Sequence, residues 1–581
     1  MIAEKRKALI PICLADEDLN SFDSPALYAA KELRWYLGRI TSAVFEIKAY
    51  AGERCIRIQA DALETNEDRV RVEADESGIL LTGGRRGTVY AVYEFLERLG
   101  CRFFTCVCEK IPVQTELDVP EMHVDSSPRF EYREHNYADV TQNVRFAVKC
   151  RLNGAHHKIP DRMGGHLPYA WFVHSFDKML PADVYGRTHP EYFSLVDGKR
   201  VTTGGGRTQL CLTNPDVLEI AVESVRRELT AHPEARIISI SQNDWLGNCQ
   251  CEACRRADEE EGSPSGTLLR FVNAIAERLE DEFPRVLFDT LAYQYTRRAP
   301  RITRNRRNVC VRICSIECCF SHPMGTCDHE SGHPEGPDAP RFVDDLRAWG
   351  KISDRMYIWD YTTCFSHYPA PYANWRVLQP NLLTMAENHV KGVFEQACGA
   401  SRGSTDFNEL RLYLLSKLMW DPEADVAALR REFMEYVYGP AAPALTRYLD
   451  LLCDEAEKAN VHIHYNDNLD AWAYLDESCL DRYDRLFDEA AEAVRGDALR
   501  LMRVEKARLS LRWVRLKRKA MLKNEIDAAE LEAFTSDWRA FGMSRIDEWY
   551  NLESTHRAFL DGLWRARSYF SHWTGEEPEV F

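Results

Sequence analysis

Apolar and polar positions alternate between two periods along this chain. Ala26, Ala29, Leu33, Leu37 and Ile40 recur at helical spacing, and Cys55-Ile-Arg-Ile-Gln59 alternates as a strand does. Gly78-Ile-Leu-Leu-Thr-Gly83 predicts a second strand, followed by a helix over Thr88–Leu99 that Gly100 stops at its C-terminus. The glycine turn between them, Gly84-Arg-Arg-Gly87, lacks the Lys-Ser/Thr of a phosphate loop, so packing is its expected role. From residue 123 to about 440 short β-rich runs alternate with helical stretches. Four of those runs end in an acid: Arg236 to Asp244, Asn308 to Glu317, Met356 to Asp360 and Lys391 to Glu395. Gly154–Ile159 and Arg285–Tyr293 are further expected strands. From 441 onward Leu445–Ala459, Leu480–Val494 and Ala498–Lys523 predict charged amphipathic helices.

This alternation predicts an α/β fold of three parts. Residues 1–122 form a small α+β domain, 123–440 a (β/α)8 TIM-like barrel and 441–581 a helical C-terminal region, with Asp118–Pro128 as linker. A chain of 581 residues suits several domains. Its formal charge of −17 argues against nucleic acid and anionic membranes as partners. No apolar run reaches the length of a membrane span. Met1–Pro11 has no signal-peptide core, so the chain as written is expected in the cytoplasm. A removed leader would place it outside the cell.

In a (β/α)8 barrel the C-terminal strand ends share one face, where the active site sits. Several acids on that face suit glycosidic-bond cleavage, in which one carboxyl protonates the leaving oxygen and another stabilises positive charge. Asp244 and Glu317 are the candidate acid/base and nucleophile. Gln242, Trp245, Trp359, Asp360, Tyr361, Glu395 and Gln396 are the candidates for binding sugar hydroxyls and faces, with His135, His166 and His174 beside them. The loop after Asp244 carries Cys249-Gln-Cys251-Glu-Ala-Cys254, thiols at a spacing that suits a structural zinc. A fourth ligand is expected from Cys318, Cys319, Cys327 or a histidine of the 322–333 loop. Reduced structural thiols are the competing reading, and the 19 scattered cysteines do not read as a disulfide framework. No other cofactor is required.

These residues also carry a family resemblance. His174-Ser-Phe, His189-Pro-Glu-Tyr-Phe193, Gln209-Leu-Cys-Leu-Thr-Asn-Pro215 and Ser241-Gln-Asn-Asp244 resemble motifs of the family catalogued as domain of unknown function 4838. So do Cys249–Cys254, Leu291-Ala-Tyr-Gln-Tyr295, Cys314-Ser-Ile-Glu-Cys-Cys319, Trp359-Asp-Tyr361 and Gly392-Val-Phe-Glu-Gln396. Members of that family were placed in glycoside hydrolase family 163, endo-β-N-acetylglucosaminidases acting on complex N-glycans. Residues 1–122 resemble the small domain that precedes the barrel in hexosaminidases and α-glucuronidases. The resemblance implies retaining cleavage of a β-linked N-acetylhexosaminide in an oligosaccharide or glycan, assisted by the substrate's acetamide. Asn243 would orient that acetamide, and Asp244 or Glu317 would protonate the leaving oxygen. A two-carboxylate displacement by Asp244 and Glu317 stays open. So do exo-action of a uronidase type and a barrel that binds carbohydrate without turnover.

Overall fold

The computed structural model describes residues 1–203, 207–330, 340–523 and 526–560. The parts of the expected 321–340 loop and C-terminal region outside these ranges are not described. Near the N-terminus, strands β1 (Ile12–Leu14), β2 (Ile47–Ala49), β3 (Ile56–Ala60), β4 (Val70–Asp75), β5 (Gly78–Gly83) and β6 (Met122–Ser126) form one mixed sheet. Its order is β6-β4-β5-β3-β1-β2. Strand β6 lies within the stretch expected to be a linker; it pairs antiparallel with β4 and extends the sheet instead. Helices α1 (Pro25–Thr41) and α2 (Arg85–Arg98) pack on the sheet and on one another. Ser24 caps α1 through its side chain, and the predicted apolar stripe of Ala26, Ala29, Leu33, Leu37 and Ile40 is buried. Gly100 takes φ +95° just beyond α2, a backbone conformation that favours glycine. Gly84 and Gly87 approach the 66–69 backbone so closely that a Cβ on either would collide with it. That close packing accounts for the glycine turn.

The central sheet is parallel throughout. Its strands are β7 (Tyr132–His135), β8 (Ile237–Ser239), β9 (Leu287–Ala292), β10 (Val309–Cys314), β11 (Met356–Tyr361) and β12 (Val390–Gln396), in the order β7-β12-β11-β10-β9-β8. Parallel strands covered on both faces read as continuous apolar runs, and all six residues of β10 are buried. The described residues therefore give a curled six-stranded parallel sheet where eight strands were expected. Between β7 and β8 the chain runs through irregular segments. Asn153 donates to the Arg133 carbonyl at 3.1 Å, Leu167 to Asn153 at 2.8 Å and Ala170 to Ile237 at 2.9 Å. Ala155–His157, within the expected strand Gly154–Ile159, is a 3-10 turn. Gly154 leaves no room for a Cβ beside Glu134, which fixes this turn against β7.

Helices α3 (Pro215–Ala231), α4 (Glu252–Glu261), α5 (Pro264–Leu279), α6 (Phe342–Gly350), α7 (Leu378–Glu387) and α8 (Asn408–Trp420) intervene between or follow these strands. Helix α9 (Val426–Tyr438) follows, and from 441 onward the described residues are helical: α10 (Ala442–Lys458), α11 (Glu477–Ala493), α12 (Ala498–Arg518), α13 (Ala528–Ala540) and α14 (Leu552–Leu560). The basic face of α12 pairs with acids of α11, with Arg508 on Asp484 and Asp488 and Arg515 on Glu477, Asp481 and Asp484. Among the described residues no helix is long and apolar enough to cross a membrane.

The lumen of the curled sheet is filled. Arg312 is fully buried there, 3.3 Å from Asp289, and lies over the rings of Tyr132, Tyr169, Phe172 and Tyr357 at 5.3–5.7 Å. Tyr169 and Ser239 each donate to Asp289 at 2.9 Å. This plug gives the space at the C-terminal strand ends a solid floor.

Candidate functional site

A cavity of about 220 Å³ opens above that floor. It is lined by His174, Asp244, Tyr293, Trp359, Tyr361, Phe365, Gln396, Tyr465, Glu548 and Trp549, with Leu291, Cys314 and Ile316 below. A larger cleft of about 880 Å³ lies between α2, β6 and α8. Arg151 pairs there with Glu94 and Glu97, and Lys417 with Glu97, whereas the smaller cavity lies at the C-terminal strand ends and is the better site candidate.

Strand periodicity decides which acids reach the cavity. Neighbours along a strand point to opposite faces. On β11, Tyr357, Trp359 and Tyr361 face the lumen and cavity, which turns Asp360 outward with Met356 and Ile358. On β12, Phe394 and Gln396 face in and Glu395 faces out. Asp360 and Glu395, expected to bind sugar, are therefore buried behind the strands and absent from the cavity wall. Burial pushes the Asp360 carboxyl up to about 6, and burial together with the neighbouring Asp360 charge holds Glu395 well above its ordinary range.

The strand end after β8 is also divided. Asp244 is exposed on the cavity and accepts a 3.0 Å hydrogen bond from Tyr293 Oη. Asn243, nominated to hold an acetamide, turns the other way. Its Nδ2 donates to Asp177 Oδ1 at 3.0 Å and to the Thr208 carbonyl at 2.7 Å. Gln242 is buried too, donating to Thr296 Oγ1 at 2.7 Å and to the Tyr293 carbonyl at 3.1 Å. Trp245 folds over Gly247, where a Cβ would strike its ring, and does not line the cavity.

Glu317 lies behind the wall formed by Ile316. It sits 3.4 Å from Arg297, which also binds Glu330 at 2.6 Å and Asp345 at 2.9 Å. Burial pushes the Glu317 carboxyl up to about 7, with Arg297 opposing the shift. Three carboxyl groups around one guanidinium make a buried ion cluster, and Glu317 is outside the cavity.

Of the three nominated histidines, His174 alone lines the cavity. Its Nδ1 lies 2.8 Å from the Gln242 carbonyl, and its backbone takes the left-handed φ of +53°. For a residue other than glycine that conformation costs on the order of 1–3 kcal/mol, a strain that concentrates at functional sites. His135 is buried behind β7 with Nε2 2.9 Å from Ser416 Oγ, and burial holds its pKa well down. His166 places Nδ1 2.9 Å from the Ile159 carbonyl, away from the cavity.

Glu548, Trp549 and Tyr465 come from the C-terminal region and were not among the expected site residues. Glu548 accepts a hydrogen bond from Tyr368 Oη, and its backbone N–H donates to the Phe365 carbonyl at 2.9 Å. Burial raises the Glu548 carboxyl from its ordinary range while the Tyr368 hydrogen bond opposes the rise. The cavity thus carries two carboxyl groups, Asp244 exposed and Glu548 half-buried, among five tyrosine and tryptophan rings. Trp359 Nε1 donates to Gln396 Oε1 at 2.8 Å, which fixes the indole edge.

The thiols of the loop after Asp244 converge as expected, with a different fourth member. Cys211, Cys249, Cys251 and Cys254 hold their Sγ atoms within 4.8 Å of one another. Cys211 Sγ is 3.7 Å from Cys251 Sγ and 3.9 Å from Cys254 Sγ. Zinc–sulfur bonds of about 2.3 Å in a tetrahedron require sulfur–sulfur edges of about 3.8 Å, so the set fits zinc. The Leu195 N–H and Arg200 Nη1 both point at Cys249 Sγ, at 3.4 and 3.8 Å, as donors to a thiolate would. Cys318, Cys319, Cys327 and the described histidines of the 322–333 loop take no part in this cluster.

The family profile described as "Domain of unknown function (DUF4838)" matches residues 103–450. No curated protein matches the chain. Among solved structures, a GH138 enzyme targeting pectin rhamnogalacturonan II superposes with TM-score 0.44 at 9% identity, covering 91% of this chain and 72% of its own. Streptomyces plicatus N-acetyl-beta-hexosaminidase gives 0.42 at 13%, over 74% and 91%. CpGH89 from Clostridium perfringens gives 0.49 at 10%, over 90% and 66%.

Proposed function

This chain belongs to the family described as Domain of unknown function (DUF4838), and we propose that it is a glycoside hydrolase. The observation that carries the reading is the pairing of Asp244 and Glu548 on one aromatic-lined cavity at the C-terminal strand ends. Glycosidic cleavage needs a carboxyl group that still holds its proton near neutral pH and a second that remains charged. Glu548 is the general acid, because burial favours its protonated form. Asp244, steadied by Tyr293, supplies the negative charge opposite the developing oxocarbenium ion. Trp359, Tyr361, Tyr465 and Trp549 offer ring faces to the sugar, and Gln396 and His174 offer polar contacts to its hydroxyls.

The cavity is smaller than the roughly 300–1,000 Å³ common for ligand pockets, which favours exo-action on a terminal sugar over endo-action on a long glycan. A β-linked N-acetylhexosaminide cleaved with retention is the first substrate class to test, and a uronide is the second. With Asn243 turned away, acetamide assistance would draw on Asp244 and Tyr293 to orient that group. The Cys211–Cys249–Cys251–Cys254 set is proposed to hold a structural zinc, since four protein thiolates complete its coordination.

The test is hydrolysis of aryl β-N-acetylglucosaminide, aryl glucuronide and their oligosaccharide counterparts by the full chain. Asp244→Asn and Glu548→Gln should each lose about 100-fold or more while unfolding at the wild-type temperature. Calorimetric sugar binding without hydrolysis at any pH would replace this reading with a carbohydrate-binding barrel.

A further inference from the structure

We propose a second zinc site, formed by Cys319, His322, Cys327 and His462. One ligand atom from each lies within 4.8 Å of the others. Three of the four come from the loop after β10, and the fourth comes from the C-terminal region, in the segment following α10. Cys319 Sγ is 3.3 Å from His322 Nδ1, and Cys327 Sγ is 3.8 Å from His462 Nδ1. A tetrahedral zinc with bonds of about 2.3 Å to sulfur and about 2.0 Å to nitrogen spaces those atoms about 3.5 Å apart, between the two observed values.

The donor set selects the ion. Two thiols and two imidazoles, with no carboxylate among them, suit zinc and disfavour calcium or magnesium, which bind through oxygen. Four protein donors also close the coordination sphere, so the role is structural. The surroundings are consistent with held imidazoles: His322 and His462 face one another with ring centroids 4.6 Å apart, and His329 stacks on His462 at 4.1 Å.

The two segments are also joined beside the ligands. Phe320 N–H donates to the Ile463 carbonyl at 2.8 Å, and Ser321 Oγ bridges the Val461 carbonyl at 2.5 Å and the Ile463 N–H at 3.2 Å. Two residues further on, the Tyr465 carbonyl accepts from Phe365 N–H at 2.6 Å, and the Tyr465 ring lines the cavity. The metal would therefore fasten the helical region to the loop after β10 and hold one cavity wall in place.

Zinc content per chain tests this without reference to activity. The purified full chain should carry two equivalents by mass spectrometric metal analysis. Cys251→Ser and His462→Gln should each retain one, and the double variant none. Cys327→Ser, on the more exposed part of the loop, should match His462→Gln and guards against a variant that fails to fold. In cobalt-loaded Cys251→Ser the remaining site should show weaker thiolate charge-transfer absorption than the four-thiolate site in His462→Gln. One zinc in the wild type that is lost entirely in Cys251→Ser would overturn the proposal. A Cys319–Cys327 disulfide in a non-reduced digest would do the same.

Discussion

Tyr293 and Asp244 reach the cavity from two different strand ends and meet there in a 3.0 Å hydrogen bond. The bond ties an exposed carboxylate to a ring whose own strand, β9, is anchored in the filled lumen through Asp289. Removing the carboxylate and removing its support should therefore differ in degree. Asp244→Asn is expected to lower kcat/KM by about 100- to 10,000-fold. Tyr293→Phe deletes one hydrogen bond to a charged group, about 1.5–3 kcal/mol, and should cost about 10- to 100-fold. Equal, small losses in steady-state assays would remove Asp244 from the chemistry.

The raised Glu548 carboxyl gives a signed pH prediction. An acid that must be protonated sets the basic limb of the rate profile at its own pKa. The Tyr368 hydroxyl stabilises the ionised form of Glu548, so Tyr368→Phe should raise the pKa further. The basic limb of kcat/KM is expected to move to higher pH by about one unit, because one unit corresponds to about 1.4 kcal/mol. A limb that stays in place, or moves to lower pH, would show that Glu548 is not the proton donor.

Strand and helix content was largely legible in the sequence because it rests on local periodicity. Gly78–Gly83 is a strand as its residues predict; the expected strand Arg285–Tyr293 contains β9, while β11 and β12 run one residue past Asp360 and one residue beyond each end of Lys391–Glu395. The acids at those strand ends were legible as a series, yet being last in a strand does not say which face a residue takes. Asp360 follows Trp359, so one of the two must turn outward, and the ring fills the lumen. Glu548 and Tyr465 were beyond reach for another reason. They enter the cavity from turns between the C-terminal helices, and no local periodicity reports where such turns pack. Cys211 shows the same limit, lying 43 residues from Cys254 in a motif read for its family likeness and not for its thiol.

The four-thiol cluster lies next to the backbone that presents Asp244, through Gln209. Gln209 Nε2 donates to the carbonyls of Asn243 and Trp245 at 2.9 and 2.6 Å, and its Oε1 accepts from Asn243 N–H at 3.1 Å. Cys211 is two residues away on the same segment. Gln209→Ala leaves buried backbone groups unpaired and should destabilise the fold by about 2–3 kcal/mol, read as a lowered Tm. Stripping metal with a chelator should disturb the same clamp, so both treatments are expected to lower turnover of the Asp244-dependent reaction. Retained turnover and Tm after complete zinc removal would show that the thiols hold this loop without a metal.

Asp360 and Glu395 are register partners on adjacent strands, both nearly inaccessible, on the face turned away from the lumen. Ser315 Oγ donates to Asp360. Burial raises both carboxyls, to about 6 for Asp360 and well above the ordinary range for Glu395, where the Asp360 charge adds to the effect. A folded-state pKa above the unfolded one contributes stability that is complete below the unfolded pKa of about 4. That contribution is lost as pH rises through the folded values, so the wild type should lose stability from about pH 4 to beyond pH 6. Glu395→Gln removes the group whose ionisation burial and the Asp360 charge oppose. It should flatten the pH dependence and raise stability at pH 8. Urea unfolding at pH 5 and pH 8 checks this. A wild-type midpoint that does not fall between those values, with no gain from Glu395→Gln at pH 8, would mean that the two carboxyls ionise independently and that the buried face is better solvated than its packing indicates.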